Sequence, residues 1–430
     1  MARIWNKHKQ FHPVRDSKHS NGAGTPLKRK VFVGMSGGVD SSVAAYLLKK
    51  QGYNVTGVFM RCWGDGPDPL RQSSSEASAS VGVNCAVADA EDARRVAEKL
   101  RIPFYSWDFE DEYKKKVIEY MVAGYRAGLT PNPDVMCNRE IKFGIFMERA
   151  LALGADYVAT GHYVRKAVSV ERPAVRGGRR LNAKHCSLYA ARDSAKDQSY
   201  FLWTLTQNEL RHCLFPIGNL NKPEVRAIAR RAGLSTAEKK DSQGICFLGR
   251  VTLADFLKEY ISERDGKIVT VGGKKIGEHS GAYFYTIGQR HGLHHKTWNM
   301  KHETSRGQNA RPFYVAEKNV KTNTLIVAEG DDHPALYRKE VELSDINLIS
   351  ARQLSIVNCQ LSVLARVRYR QPLSSATLTC RQSSVVSCKL TFDRPQKFVA
   401  PGQSAVFYLP AGAKAKEGSG LQMLGGGVIV

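Results

Sequence analysis

The chain has 430 residues, 42% of them apolar, which suffices for about three domains of ordinary size and excludes both a mini-protein and a wholly disordered chain. Its 64 Lys and Arg against 40 Asp and Glu leave a formal charge of +24, which favours a polyanionic partner because basic side chains gain affinity by displacing phosphate counterions. No apolar run approaches the roughly 18 residues that cross a membrane; residues 1–30 hold no secretory apolar stretch; and nine scattered Cys without a C-x-x-C pair fit neither a disulfide scaffold nor a structural zinc site.

The excess charge is concentrated at the two ends. Residues 1–30 hold eight Lys and Arg against Asp16 alone, and residues 351–430 hold ten against Asp393 and Glu417. The leader, residues 1–29, fits an organelle presequence, mitochondrial first, or a plain basic tail of a cytoplasmic protein. Lys30–Met35 (KVFVGM) then reads as a buried strand, 41–52 as an amphipathic helix closed by glycine, and Asn54–Met60 as a second strand. A loop is expected over 64–82, a helix over 88–100, a strand over 104–108, helices over 111–127 and 139–153, and a strand over 157–160. That alternation predicts an α/β domain with a parallel sheet over 30–240.

After residue 240 the pattern changes to short β-branched and aromatic runs punctuated by Gly, Asn, Asp and Pro, among them 267–271, 282–287, 313–317, 324–327, 360–367, 376–379, 387–392 and 405–408. It predicts a small β-rich central domain over 241–311 and a C-terminal β-barrel over 312–430. Exposed loops are expected at 171–185, 292–311 and 411–422 as well.

Between the first strand and helix lies Ser36-Gly37-Gly38-Val39-Asp40-Ser41-Ser42. Adjacent glycines let backbone N–H groups approach an anion, and the helix that follows points its positive end at the same spot. No G-x-x-x-x-G-K-[ST] is present, and the glycine order is wrong for a dinucleotide fingerprint. The hydroxyls of Ser36, Ser41 and Ser42 suit phosphate oxygens, and Asp40 is placed to hold magnesium against them. The S-G-G-x-D-S signature resembles the PP-loop of ATP pyrophosphatases, which implies ATP with Mg2+, adenylation of a substrate and release of pyrophosphate.

Two cysteines stand in polar, turn-rich surroundings. Cys137 follows Asn132-Pro133-Asp134 at the head of an expected helix, where the helix terminus would favour thiolate, and Asp134 would share its face and move a proton if the turn is helical. Cys246, in Asp241-Ser242-Gln243-Gly244-Ile245-Cys246, lies in a glycine-flanked loop between the two halves of the chain. On spacing alone each is a nucleophile or a small buried hydrophobe. The other seven keep the buried reading.

GMSGGVDSSV (34–43), Met60, NPDVMCNREIKFG (132–144), ATGHYVR (159–165), KDQSYFLW (196–203), DSQGICFLG (241–249), YTIGQRHGL (285–293), RVRYRQP (366–372) and APGQSAVFY (400–408) form an ordered series that resembles the tRNA-specific 2-thiouridylase family. The resemblance implies that the wobble uridine of tRNA exchanges its C2 oxygen for sulfur. It assigns ATP to Gly34, Met35, Ser36, Gly37, Gly38, Val39, Asp40, Ser41, Met60 and Gly161. Asn132, Pro133 and Asp134 would contact the target base, and His162, Lys196, Asp197, Gln198, Arg368, Tyr369 and Gln403 would touch tRNA. Cys246 would carry a persulfide supplied by a donor protein, and Cys137 would act as nucleophile, either resolving the chain into a Cys137–Cys246 disulfide or first liberating sulfide. A monomer is expected. Outside this family, the loop alone also suits an amide-forming ligase with no use for the two cysteines, the charge suits a non-enzymatic tRNA-binding protein, and an iron–sulfur variant would need a third ligand.

Overall fold

The computed structural model describes residues 28–63, 76–170, 184–240, 252–293, 311–349, 360–382, 386–410 and 420–430. The leader, the Cys246 segment and most of the expected long loops lie outside these residues.

The N-terminal domain is built on a five-stranded parallel sheet in the order β3-β2-β1-β4-β7. Its strands are β1 (Lys30–Gly34), β2 (Asn54–Arg61), β3 (Phe104–Asp108), β4 (Tyr157–Ala159) and β7 (Cys213–Leu214); β5 (Val164–Val170) and β6 (Lys184–Ala190) form a separate hairpin. The central strand β1 is apolar at successive positions because helices cover both of its faces. Helix α1 (Val39–Lys50) carries Asp40 in its first turn and Lys49 and Lys50 in its last, matching the helix dipole, and Gly52 at φ 88° lets the chain leave it.

Helix α2 (Glu76–Leu100) begins twelve residues before the expected start at 88, so residues 76–82 are helix and not loop. Two helical runs follow: α3 (Glu110–Tyr113), a π-helical segment Lys114–Ile118 and α4 (Glu119–Arg126), then α5 (Pro133–Met136), a second π-helical segment Cys137–Ile145 and α6 (Phe146–Ala152). Helices α7 (Gln207–His212) and α8 (Lys222–Arg231) complete the domain, each opened by a capping box.

After α9 (Leu253–Lys258), the central sheet has the order β10-β11-β8-β9, formed by β8 (Gly266–Thr270), β9 (Lys275–His279), β10 (Phe313–Asn319) and β11 (Thr324–Glu329). Strand β11 pairs with β8, so 313–329 belong to this sheet although the sequence reading places them in the barrel segment that starts at 312. The expected strand over 282–287 is instead a 3-10 turn, Ala282–Phe284, packed by its rings.

Six strands close the C-terminal barrel in the order β12-β15-β14-β13-β16-β17: β12 (Tyr337–Leu348), β13 (Gln360–Arg366), β14 (Ser374–Gln382), β15 (Val386–Lys397), β16 (Ser404–Tyr408) and β17 (Met423–Ile429). Alternate residues such as Val363, Leu378, Leu390, Phe392 and Phe407 fill its interior. Cys380 and Cys388 face each other across β14 and β15, 4.1 Å apart at Cα, and form a disulfide; the sequence reading takes them as isolated buried hydrophobes.

Direct bonds join the three parts. Trp203 Nε1 donates to Ser404 Oγ at 3.0 Å and Tyr200 OH to Ser404 O at 2.8 Å. Lys318 of the central sheet reaches Leu129 O and Tyr285 O at 3.2 and 2.8 Å, with its ammonium over the Tyr125 ring, and burial pushes its pKa down to about 8.

Candidate active site

Strands β1 and β4 are neighbours at the centre of the sheet; β2 and β3 continue on one side and β7 on the other. The strand order reverses between β1 and β4, and in such sheets the crevice beyond the strand ends at that point is where ligands bind. The Ser36–Ser42 loop leaves β1 into this crevice, and Thr160-Gly161-His162 leaves β4 into it.

The glycines set how closely the backbone segments approach. At Gly37, φ is 70° and an added Cβ would lie 2.2 Å from Asp89 O in α2; at Gly161 it would lie 2.6 Å from Ser41 N. Gly37→Ala therefore combines a left-handed strain with a backbone clash, and it is expected to destabilise the domain by roughly 2–4 kcal/mol in chemical denaturation. Gly38 caps α1 without a side-chain bond, leaving first-turn N–H groups for an anion. The serine hydroxyls brace the loop: Ser41 and Ser42 donate to Gly38 O at 3.2 and 2.8 Å, and Ser36 Oγ lies 3.3 Å from Ser41 Oγ. Met35 and Val39 are buried beneath it, and Met60 lies against Gly34, where a Cβ would meet its Cε at 2.9 Å. The expected nucleotide-binding residues thus converge on one loop and its floor.

Asp40, expected to hold magnesium together with ATP, is bonded to two protein side chains. Its two carboxylate oxygens accept Lys222 Nζ at 2.9 and 2.8 Å, and Oδ1 also accepts Tyr163 OH at 2.8 Å. Among the described residues no group of three His, Cys, Asp or Glu is placed to hold a metal, so magnesium would fit here only as a companion of phosphate, with Asp40 as a protein ligand. Lys239, just before the Cys246 segment, is bonded to Asp89 and Asp92 at 2.6 and 2.5 Å, beside the backbone that presses on Gly37.

Cys137 is 3% exposed, and its thiol is free. Asn132 Oδ1 caps the helix by accepting Val135 N at 3.2 Å, and Pro133 occupies the first turn, where its missing N–H costs nothing. Cys137 therefore sits one turn inside the helix and not at its head, and its own N–H is bonded to the carbonyls of Pro133 and Asp134. Asp134 does lie in a helical turn three residues before it, which puts both on one face. From Cys137 the helix widens and is then kinked at Gly144, whose φ of −95° and ψ of −108° are not helical. Phe143 on this segment contacts His162 at 6.0 Å between ring centres, joining the thiol helix to the end of β4. Asn138, next to the thiol, is 2% exposed and donates to Phe201 O at 3.2 Å, while its Oδ1 has no partner. The sequence reading missed Asn138 and Lys222.

Several residues expected to touch tRNA are turned inward. His162 is buried, bonded through Nδ1 to Thr160 Oγ1 at 2.8 Å, and burial holds its pKa well below the usual range, so it is neutral and cannot pair with a phosphate as a cation. Asp197 accepts Ala191 N and Ser199 N and pairs with buried Arg366. Gln198 Oε1 accepts Tyr163 N at 2.9 Å. Arg368 donates to Ile287 O at 2.6 Å, and Gln403 Nε2 donates to Thr130 O at 2.8 Å, holding the approach to Asn132. Lys196 and Tyr369 are only half-buried, and Tyr369 packs on Phe201 at 4.4 Å between ring centres. Cys246 lies outside the described residues.

A parallel α/β domain with an uncapped glycine loop at its switch point, followed by two β modules, defines the class, and family models match each part. Residues 29–250 match the "tRNA methyl transferase HUP domain", 254–329 the "tRNA methyl transferase PRC-barrel domain", and 338–429 the "Aminomethyltransferase beta-barrel domain". Over 402 residues the chain is 42% identical to the tRNA-specific 2-thiouridylase MnmA of Streptococcus sanguinis (strain SK36), covering 94% of this chain and 95% of that protein. It is 43% identical over 404 residues to the protein of the same name from Streptococcus pyogenes serotype M2, with 94% and 95% covered. With that of Alkaliphilus oremlandii it shares 41% identity over 385 residues, with 89% and 94% covered. The chain belongs to the tRNA-specific 2-thiouridylase family.

Proposed function

We propose that the protein is a tRNA-uridine 2-sulfurtransferase that uses ATP to replace the C2 oxygen of a wobble uridine with sulfur. The observation that carries this reading is convergence: Gly161 packs on the first turn of α1 at the glycine loop, and the next residue, His162, packs on the helix that bears Cys137. An activated oxygen and the thiol that resolves the persulfide need to meet at one place, and the elements that would carry them pack against each other in this crevice.

In this reading ATP lies on the loop with its phosphates toward the N–H groups of α1, and the uridine O2 attacks the α-phosphate, releasing pyrophosphate. The O2-adenylate converts a poor leaving group into AMP. Cys246, loaded as a persulfide by a separate donor protein, supplies sulfur to C2, and Cys137 takes up the other sulfur of Cys246 as a disulfide, either during the attack or beforehand by freeing sulfide. Both orders end in a Cys137–Cys246 disulfide, so an external thiol must reduce the enzyme before the next turnover. Asp134, on the thiol's face, would take the Cys137 proton. Magnesium, when bound with ATP, supplies neutralisation of phosphate charge. An unstacked anticodon-loop base suits such a pocket.

The test is incubation of the protein, acting as a monomer in this reading, with ATP, a persulfide source and unmodified tRNA. 2-Thiouridine should form with stoichiometric AMP and pyrophosphate. Nucleotide turnover that is indifferent to tRNA would instead favour ligation of a small acid. The basic leader we read as a mitochondrial address; residues 1–30 fused to a fluorescent protein should then collect in mitochondria, and a diffuse cytoplasmic signal would refute that reading.

A further inference from the structure

We propose that Lys222 is the cation that receives the β- and γ-phosphates of ATP, and that the ion pair it makes with Asp40 is the resting form of that contact. The inference rests on ATP binding at the glycine loop and adds a residue that comes from a distant helix. Lys222 opens α8, its side chain is 11% exposed, and Nζ is held between both oxygens of Asp40 while lying 5.8 Å from the centre of the Tyr163 ring. Asp40 is in the first turn of α1, two residues beyond Gly38, so the ammonium stands at the mouth of the anion cradle.

Charge explains why the pair is there. A polyphosphate entering this loop meets the Asp40 carboxylate, and two like charges a few ångströms apart in a half-buried site repel strongly. A fixed cation on the carboxylate cancels that repulsion before nucleotide arrives. A lysine ammonium is a compact charge on a flexible stem, so it can pivot from carboxylate to phosphate without movement of α8. The exchange would leave the oxygens of Asp40 open to the magnesium that accompanies ATP. Tyr163, fixed by Gln198 through its backbone N–H and bonded to Asp40 Oδ1, keeps the carboxylate in place during the exchange.

AMP lacks the two phosphates concerned, which gives the test its control. Equilibrium binding of MgATP and of AMP is measured on the full-length protein and on Lys222→Met and Lys222→Arg. Lys222→Met should weaken MgATP about 10–100-fold, the size of a charge-assisted hydrogen bond, with AMP within about twofold of the parent. Lys222→Arg should recover most of the loss. Equal weakening of both nucleotides, or no weakening of ATP, overturns the proposal.

Should Lys222→Met fail to fold, Asp40→Asn provides a second reading. It releases the lysine, so ATP without magnesium should bind at least as tightly as to the parent, and weaker binding overturns the proposal. A parent protein that binds neither nucleotide refutes the ATP reading itself, an outcome distinct from any result confined to the variants.

Discussion

Serine at position 246 is expected to lower 2-thiouridine formation by at least about a thousandfold, and removal of the Cys137 sulfur should do the same, because neither a hydroxyl nor a methyl group can carry sulfane sulfur or close a disulfide. The two losses should differ in what survives. With Cys246→Ser the tRNA is still adenylated in the proposed sequence, so one pyrophosphate per enzyme should appear in a rapid phase with no sulfur incorporated. At position 137 the substitution must respect burial. The thiol is 3% exposed among apolar side chains, and a serine hydroxyl there costs roughly 1–3 kcal/mol unless it bonds back to the carbonyl one turn earlier. Cys137→Ala is therefore the cleaner variant, and an unchanged melting temperature would show that lost activity is chemical. In the parent enzyme without reductant, product should stop at one sulfur per chain while a Cys137–Cys246 disulfide accumulates, seen by peptide mass spectrometry. Full turnover by Cys246→Ser would end the persulfide mechanism.

What the sequence discloses about this site is local. The strand–glycine loop–helix unit is contiguous, so its anion-binding character was readable from Ser36 to Ser42, and the structure adds only how Asp89 and Gly161 crowd it. The thiol helix was readable in outline, but its true start lies at Asn132, since the Asn-Pro pair supplies the cap and first residue and leaves Cys137 a turn inside. The alternation of strands and helices disclosed the parallel sheet, whereas the early start of α2 was hidden because 76–87 combines small residues with few charges and shows little helical periodicity.

Contacts between distant residues were not legible. Lys222 meets Asp40 across 182 positions, and Arg366 meets Asp197 across 169, and a single sequence marks neither partner. The pairing of β11 with β8 was hidden for the same reason, although the composition of both is plainly β. The Cys380–Cys388 bridge is the exception: two cysteines eight positions apart occupy opposed positions of the paired strands β14 and β15, a spacing that was open to reading.

Asp197→Ala is expected to cost about 3–5 kcal/mol of stability, because it strands the Arg366 charge in a joint between the α/β domain and the barrel. Asp197 and Arg366 side chains are 4% and 9% exposed; Arg366 also donates to Tyr408 OH at 2.8 Å, and Ser199 Oγ lies within bonding distance of both Asp197 Oδ2 and Tyr408 OH, at 2.9 and 2.8 Å. Removing one charge leaves the other desolvated, whereas removing both leaves an apolar joint, so adding Arg366→Met to Asp197→Ala should restore part of the lost stability in urea unfolding. The neighbouring Lys196 is half-buried, and Lys196→Ala should reduce the slope of log affinity for tRNA against log salt by about one phosphate contact. The two substitutions separate the roles that the resemblance lends jointly to Lys196-Asp197-Gln198. If Asp197→Ala unfolds like the parent and loses tRNA affinity instead, the carboxylate serves RNA and the buried joint is held by other contacts. If it unfolds early and the double variant recovers, Asp197 is a hinge-pin between two domains.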